Sequence, residues 1–437
     1  MHGSSIDALH DTLHELPHGP LWVAYSGGLD STTLLHALAT RCAGAGRELR
    51  AVHVHHGLAA HADDWAAHCQ ATCDALGVAL RVMRVRVDVH AGLGIEGAAR
   101  EARRAAFAAV LRPGEVLALA HHRDDQAETF LMRALRGSGV DGLAAMRAWT
   151  PLGSGRAWRP WLMVPRAAIE AQARMRGLRW IDDASNADAR FDRNHLRHHV
   201  LPALLARWPH AHGALAQAAA HCAQAVDLLD DDDARALAAA RTLDDAVLQL
   251  PPLRALTAAR RARVLRRWIA DRRLPPLPRH GHEAIDALLV GRDDAGSSFE
   301  WHGARVQGWN DLLHAAPIAA PLDPGWQATW DGVAPLPLPG GGSLSLIGSA
   351  AAAGGFDAPL QVRARRGGER ITLPGRTHSH ALKHVLQDLQ VPPWVRARMP
   401  LLVDADGLVL AAADLAYSSA FDARLRALGA RLQWNAD

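Results

Sequence analysis

The chain has 437 residues, of which 49% are hydrophobic and 21% charged, and its formal net charge is +3. This length allows two or three domains, and the composition excludes a disordered or collagen-like protein. The sequence shows neither a long apolar run nor a signal pattern, which predicts a cytoplasmic protein. Its four cysteines form no C-x-x-C pair, which argues against a disulfide framework and against a zinc or iron–sulfur site.

A strand, a glycine turn and a helix are predicted between Leu21 and Leu38. The apolar run at 21–25 indicates the strand, and helical spacing of leucines after residue 33 indicates the helix. The turn between them consists of Ser26, Gly27, Gly28, Leu29, Asp30 and Ser31. Glycines let the backbone approach an anion, and a helix start offers free N–H groups to a phosphate. An ordinary helix start capped by Ser or Asp remains the alternative interpretation.

Strands and helices then alternate. Strands are predicted at Leu49–His55, Ala79–Val89 and Glu115–Ala120, with helices at His61–Leu76 and Ile95–Leu111. This alternation predicts a parallel sheet, whose ligands bind beyond the carboxyl ends of the strands. The glycine turn and the polar segment after Ala120 both begin at that edge.

The polar segment contains three acids, Asp124, Asp125 and Glu128. Asp124 and Glu128 are four residues apart, on one face of a predicted helix. Clustered carboxylates can take part in general acid–base chemistry. Acids are also favoured in the first turn of any helix, so a purely local role remains open.

After residue 160, the composition and the predicted secondary structure change several times along the chain. Pro165 starts a predicted helix that Gly177 ends. Helical periodicity covers residues 215–316, where the acids at 230–233 indicate a solvated face or a helix start. Five arginines between 260 and 267 indicate either a solvated face or a surface facing RNA. A Pro- and Gly-rich stretch with a short strand near 343–347 precedes a segment, 363–398, with eight basic residues and two acids.

Several motifs together carry a family resemblance. The S-G-G-x-D-S turn resembles the pyrophosphate-binding loop of the ATP pyrophosphatase, or PP-loop, superfamily. The HHRDDQAET, HVHHGL and R-P-W-L segments and the D-x-S-N-x-D…R-N-x-x-R pattern that ends at Arg197 resemble the tRNA(Ile)-lysidine synthases. The chain departs from that family at His55, where Asn is usual, and at Ala59, where Arg is usual.

The resemblance implies an α/β fold in which a Rossmann-like PP-loop domain with a parallel sheet is followed by a helical domain and a small mixed α/β domain. The predicted boundaries are 1–212 for the catalytic domain, 213–316 for a helical tRNA-contacting domain, 317–360 for a connection and 361–437 for a basic tRNA-binding domain. Family members use ATP to adenylate the wobble cytidine of an isoleucine tRNA with a CAU anticodon and then attach L-lysine.

The same resemblance implies roles for individual residues. Asp30, Asp124, Asp125 and Glu128 are the predicted catalytic residues, and Asp30 is also the predicted Mg²⁺ ligand. ATP is predicted to contact Ser26, Gly27, Gly28, Leu29, Asp30, Ser31, Arg100 and Arg103. The tRNA is predicted to contact Arg193, Arg197, Arg365, Arg366, Arg396 and the single lysine of the chain, Lys383.

Three other interpretations stay open at this point. A tRNA thiolase of the same superfamily needs a catalytic cysteine pair, and an amidotransferase needs a glutaminase; no motif for either stands out. A non-catalytic ATP-dependent tRNA-binding protein is the alternative from a different class, although Asp30 and the later acids argue against it. The sequence does not decide whether the chain is a monomer or a homodimer.

Overall fold

A computed structural model describes residues 9, 11–14, 16–57, 61–88, 94–182, 191–290, 297–349 and 354–436. The chain divides into two compact units at Asp230 and Asp231. The helical spacing of Ile6, Leu9, Leu13 and Leu16 predicts a short amphipathic helix within residues 1–20, of which residues 1–8, 10 and 15 lie outside the described residues. The D-x-S-N-x-D motif at 183–188 also lies outside them.

The first unit contains a six-stranded sheet in the order β3-β2-β1-β4-β6-β5. All neighbouring strands are parallel except β5, which pairs antiparallel with β6. This arrangement confirms the predicted parallel sheet. The strands are β1 (Leu21–Ala24), β2 (Leu49–His55), β3 (Ala79–Arg84), β4 (Val116–Ala118), β5 (Trp149–Leu152) and β6 (Gly155–Trp158).

The helices of the first unit follow the strands as the sequence predicted. Gly77, at φ +64°, ends α2 in a left-handed conformation that suits glycine, and Pro165 caps the start of α6. The helices are α1 (Leu29–Gly44), α2 (Ala62–Leu76), α3 (Gly94–Val110), α4 (Arg123–Leu135), α5 (Val140–Leu143), α6 (Arg166–Met175), α7 (Asp192–His195), a π-helical turn (Leu196–Val200) and α8 (Leu201–Arg207). A long helix, α9 (Ala211–Ala240), begins in this unit and ends in the next.

The core of this unit explains why the glycine turn is held firmly. Leu34, Leu35 and Leu38 of α1 are fully buried against β1. Trp161 and Ile169 belong to the same cluster, so the segment around α6 packs beside α1. Burial of this apolar area fixes the start of α1 at the carboxyl edge of the sheet.

The second unit begins with helices and an antiparallel sheet. Its elements are β7 (Val247–Gln249), α10 (Leu250–Arg254), α11 (Ala258–Asp271), α12 (Arg279–Val290), β8 (Ser298–Trp301), β9 (Ala304–Trp309) and β10 (Leu312–Pro317), with the sheet order β7-β10-β9-β8. Residues 298–317 are therefore strands where helical periodicity was expected. Alternate residues such as Val306, Leu313 and Ala315 are buried, which is the two-residue period of a strand.

Two of the acids at 230–233 contact arginines of α11, whereas Asp230 and Asp231 are exposed, as the solvated-face interpretation predicts. Asp233 is buried and accepts from Arg263 Nε at 2.6 Å, so it lies neither on a solvated face nor at a helix start. Arg261 Nε donates to Asp286 Oδ1 at 2.7 Å, and Arg260 donates to the Asp232 carbonyl. These pairs give several of the arginines a structural role.

The remaining elements form the carboxyl-terminal part of the second unit. They are β11 (Gln327–Trp330), β12 (Leu336–Pro337), β13 (Ser343–Gly348), β14 (Leu360–Arg363), β15 (Arg370–Ile371), β16 (His380–Ala381), α13 (Leu382–Asp388), α14 (Pro393–Arg396), β17 (Leu401–Val403), β18 (Val409–Ala412), β19 (Ala416–Tyr417), α15 (Ser419–Ala427) and β20 (Ala430–Asn435). The strand expected near 343–347 is β13. Trp330 and Leu344 share a core with Val362 and Leu402, so the 317–360 segment packs into this fold as well as connecting its neighbours.

Within the described residues, no helix has the length and apolar character needed to cross a membrane. All four cysteines are free, and Cys42, Cys69 and Cys73 are buried. Burial raises the pKa of Cys69 to about 12 and that of Cys73 to about 11. These thiols are protonated core residues rather than nucleophiles, which disfavours the thiolase interpretation.

Candidate active site

The glycine turn joins β1 to α1 and leaves its backbone open on one side. Gly27 has φ +86°, and a Cβ there would lie 2.9 Å from Ile181 Cδ1, so glycine is required by the fold. Gly28 has an ordinary φ of −76°, and a Cβ there would lie 3.6 Å from its nearest neighbour. Because the protein itself has room for a side chain at 28, the glycine is better explained by close approach of a ligand.

Hydroxyl groups brace this turn from within. Ser26 Oγ lies 3.0 Å from Ser31 Oγ, and Thr32 Oγ1 donates to the Gly28 carbonyl at 2.9 Å. Gly28 occupies the cap position of α1 and gives the first-turn N–H groups no side-chain acceptor. These N–H groups and the positive end of the helix dipole are suited to an anion.

Asp30 lies in the first turn of α1, between two cationic or protonatable side chains. Its Oδ1 is 3.7 Å from Arg166 Nε, and its Oδ2 is 3.7 Å from His122 Nε2. Oδ1 is buried and makes no hydrogen bond to any residue that the structure describes. A buried carboxylate oxygen without a hydrogen bond fits a metal ligand.

His122 connects Asp30 to the acids of α4. The His122 ring atom Nδ1 accepts a hydrogen bond from the backbone N–H of Asp125 at 3.3 Å. The backbone N–H of His122 donates in return to Asp125 Oδ2 at 3.1 Å. This reciprocal cap satisfies two backbone donors at the start of α4. Nε2 then points to Asp30 and to Asp125 Oδ2, the latter at 3.3 Å. A single buried imidazole therefore contacts the carboxylates of both Asp30 and Asp125.

Asp125 and Glu128 form a buried cluster with two arginines. Glu128, only 2% exposed, accepts from Arg193 Nε and Arg197 Nε, each at 2.7 Å. Asp125 Oδ1 accepts from Arg193 Nη2 at 2.7 Å and from Arg197 Nη2 at 3.3 Å. Burial alone would raise the pKa of Asp125, but His122 and Arg193 outweigh it and hold that pKa below its usual value. We call these four residues the acid–arginine cluster.

Asp124 has different partners. Its Oδ1 accepts the Arg166 N–H at 3.3 Å, and its Oδ2 lies 3.4 Å from His212 Nδ1 at the start of α9. The sequence paired Asp124 with Glu128; in the structure Glu128 shares its partners with Asp125 instead. The physical reason is that residues three apart also meet on one helix face, and Arg193 and Arg197 bridge that pair.

The structure gives the predicted arginines unequal positions. Arg193 and Arg197 contact the acids of α4, a proximity that no local sequence pattern indicates. Arg100 and Arg103 are exposed on α3, where Arg103 Nε donates to His56 Nε2 at 3.3 Å. Burial and the Arg103 charge lower the pKa of His56 to about 4, so this imidazole is neutral at physiological pH.

The predicted tRNA contacts of the second unit also differ from one another. Lys383 on α13 and Arg366 are exposed, whereas Arg365 is half-buried. Arg396 Nε donates to the Val391 carbonyl at 2.6 Å, so this guanidinium already makes a hydrogen bond within the protein. Arg166 and His212 are the site residues that the sequence reasoning missed. Their contacts join segments far apart in the chain, so no local signal marked them.

Family models match most of the chain. A PP-loop domain model matches residues 3–204, the TilS substrate binding domain matches 248–314, and the TilS substrate C-terminal domain matches 360–434. The chain is 52% identical to a tRNA(Ile)-lysidine synthase of Xanthomonas campestris pv. campestris, over 96% of this chain and 95% of that protein.

Two further relatives carry the same name. One, from Xylella fastidiosa, is 50% identical over 96% of this chain and 95% of its own length. Another, from Pseudomonas aeruginosa, is 45% identical over 89% of this chain and 88% of its own length. The similarity thus extends across both units and includes the glycine turn and the acids of α4.

Proposed function

The chain belongs to the tRNA(Ile)-lysidine synthase family, and from that premise we propose how its site performs the reaction. It is an ATP-dependent ligase that acts on tRNA. The O2 atom of the wobble cytidine attacks the α-phosphorus of ATP, and pyrophosphate leaves. The ε-amine of L-lysine then attacks C2, loses a proton and displaces AMP. The tRNA that carries lysidine reads AUA instead of AUG. The observation that supports this proposal is the sequence identity to these synthases over nearly the whole chain.

The glycine turn is the proposed binding site for the ATP phosphates. Gly28 leaves its backbone accessible, and Ser26 and Ser31 supply hydroxyl groups beside it. Negative charge grows on the departing pyrophosphate, so fixed donors at this position stabilise the transition state more than the ground state. Arg100 and Arg103 are exposed on α3 and are proposed to add positive charge toward the same phosphates.

Asp30 is the proposed protein ligand of Mg²⁺. No cluster of three or more metal-binding side chains occurs in the described part of the chain. Mg²⁺ bound to a nucleotide commonly needs only one or two carboxylates, because phosphates and waters complete its coordination. Asp30, whose buried Oδ1 accepts no hydrogen bond from the described residues, meets that requirement. When bound, the ion neutralises phosphate charge, while Arg166 and His122 hold the carboxylate in position.

The acids of α4 are the proposed site for L-lysine. Asp124, Asp125 and Glu128 lie in the first two turns of α4, and His122 links Asp125 to Asp30. Arg193 and Arg197 neutralise two of these carboxylates and fix their geometry. A carboxylate in this group can bind the lysine ammonium and accept its proton, since the neutral amine is the nucleophile.

The proposed tRNA contacts involve both units. Arg193 and Arg197 remain partly exposed and are proposed to reach the anticodon region from the acid–arginine cluster. Arg365, Arg366, Lys383 and Arg396 are proposed to contact tRNA phosphates. Exposure favours Arg366 and Lys383 for this role, because Arg396 is already engaged by a backbone carbonyl.

The adenylation step gives a direct test of this function. With ATP and Mg²⁺, the protein should release pyrophosphate only when a CAU-anticodon isoleucine tRNA is present. A matched tRNA whose wobble cytidine is replaced by uridine should bind with similar affinity but support no release. Equal release with both tRNAs would exclude the cytidine as the adenylated base. The non-catalytic alternative predicts RNA binding without release in either case.

A further inference from the structure

An exposed tryptophan lies at the junction of α8 and α9. The Trp208 side chain is 59% exposed, although its backbone is fixed. The backbone N–H of Trp208 donates to the Leu204 carbonyl at 2.7 Å, and the Trp208 carbonyl accepts from the backbone N–H of Ala211 at 2.9 Å. Pro209 disfavours helical backbone at the preceding residue, which here has φ −127° and ψ 87°. The indole is therefore presented to solvent from a rigid turn.

Positive charge accompanies this ring. The guanidinium carbon of Arg207 lies 5.9 Å from the ring centre, within the range of a cation–π contact. Arg207 and the nearby His210 are both exposed. An aromatic face beside a guanidinium suits an unpaired nucleic-acid base, because the ring stacks on the base and the cation attracts the phosphate.

The turn is also tied to the candidate active site. Trp208 is four residues from His212, so their Cα atoms are at most ~14 Å apart. His212 Nδ1 lies 3.4 Å from Asp124 Oδ2, and Asp124 directly precedes the acid–arginine cluster in α4. The backbone of Trp208 is therefore held close to the site where the cytidine and lysine would meet.

We propose that Trp208, together with Arg207, is a stacking platform for the unpaired anticodon-loop base that neighbours the reacting cytidine. This proposal rests on the proposed function, since it takes tRNA as the substrate. The cytidine must leave its stack to expose O2, and the adjacent base then loses a stacking partner. The indole takes the place of that partner. Trp208 is thus a positioning residue that stabilises the opened loop and contacts no reacting atom.

The test uses the full-length chain and an anticodon stem–loop RNA with a CAU loop. In this RNA, 2-aminopurine replaces the adenosine beside the cytidine. Trp208→Ala should weaken binding about 10-fold, as loss of one base stack does, whereas Trp208→Phe should retain most of the affinity. The wild type and Trp208→Phe should quench the 2-aminopurine fluorescence on binding, and Trp208→Ala should not. Arg207→Ala should weaken binding and reduce its salt dependence.

Leu228→Ala is the matched control. Leu228 is also exposed on α9, sixteen residues beyond His212 and hence about 24 Å along the helix, and its loss should leave RNA binding unchanged. Wild-type affinity and quenching in Trp208→Ala would overturn the proposal. So would a raised KM for ATP with RNA binding intact, since the indole would then stack on adenine. A wild type that shows the stacking but transfers no lysine would refute the proposed function and leave the platform standing.

Discussion

Asp30→Ala should lower pyrophosphate release by at least about 10³-fold while leaving tRNA affinity near that of the wild type. In the proposed mechanism Asp30 supplies the carboxylate that binds Mg²⁺ beside the ATP phosphates, and such charge stabilisation contributes several kcal/mol. Among the described residues, the Asp30 side chain forms ion pairs with Arg166 and His122, each at 3.7 Å. Steady-state pyrophosphate release and RNA filter binding measure the two quantities. The Mg²⁺ dependence of ATP affinity should also be lost.

Asp64→Ala provides the control for this substitution. Asp64 lies in the first turn of α2, as Asp30 does in α1, but it is largely exposed, and among the described residues its ion pair is with His61. Both acids are favoured by a helix dipole. If Asp30 served only as a helix-start residue, the two variants would behave alike and turnover would persist in both. Retained turnover in Asp30→Ala would remove Asp30 from the mechanism.

Glu128→Gln should lower lysine transfer by about 10²-fold or more, the range typical for loss of a positioned acid–base group. The same change should reduce the free energy of unfolding by about 2 kcal/mol, below the roughly 3–5 kcal/mol of a fully buried pair, because Arg193 and Arg197 keep some exposure. The substitution removes one of the two carboxylates of the acid–arginine cluster, so the guanidinium groups of Arg193 and Arg197 then share Asp125 alone. Lysine incorporation and urea unfolding measure the two effects.

The contrasting variant is Glu170→Gln on α6. Glu170 pairs with Arg174 four residues away on the surface, so its loss should cost only a few tenths of a kcal/mol and leave lysine transfer unchanged. If Glu128→Gln and Glu170→Gln changed lysine transfer and the free energy of unfolding equally, Glu128 would have no more than the role of a surface ion-pair residue. Loss of adenylation together with transfer in Glu128→Gln would instead place Glu128 in the first half-reaction.

The sequence predicted the elements whose signals are local. An apolar run before two glycines indicated β1, the turn and α1, and Pro165 and Gly177 marked the two ends of α6. Their conformations depend on residues within a few positions. The β8–β10 segment was predicted wrongly because the Ala-, Leu- and Arg-rich composition of residues 215–316 as a whole favours helices. Within residues 298–317 the buried side chains instead follow the two-residue period of strands, as at Leu313 and Ala315.

The sequence singled out several residues that the structure brings together, but it predicted few of the contacts between them. The sequence singled out Asp30 and the acids of α4, but Arg193 and Arg197 meet those acids across 65 to 72 residues of chain. Such contacts depend on the packing of α7 and the following π turn against α4, which no periodicity records. His212 approaches Asp124 for the same reason.

The most direct test of lysidine synthesis by this site combines the protein, ATP, Mg²⁺, labelled lysine and CAU-anticodon isoleucine tRNA. The label should enter the tRNA at the wobble nucleoside, with one AMP and one pyrophosphate released for each lysine attached. Omission of ATP or replacement of the wobble cytidine should abolish incorporation. Intact RNA binding with no label in the tRNA would contradict the account.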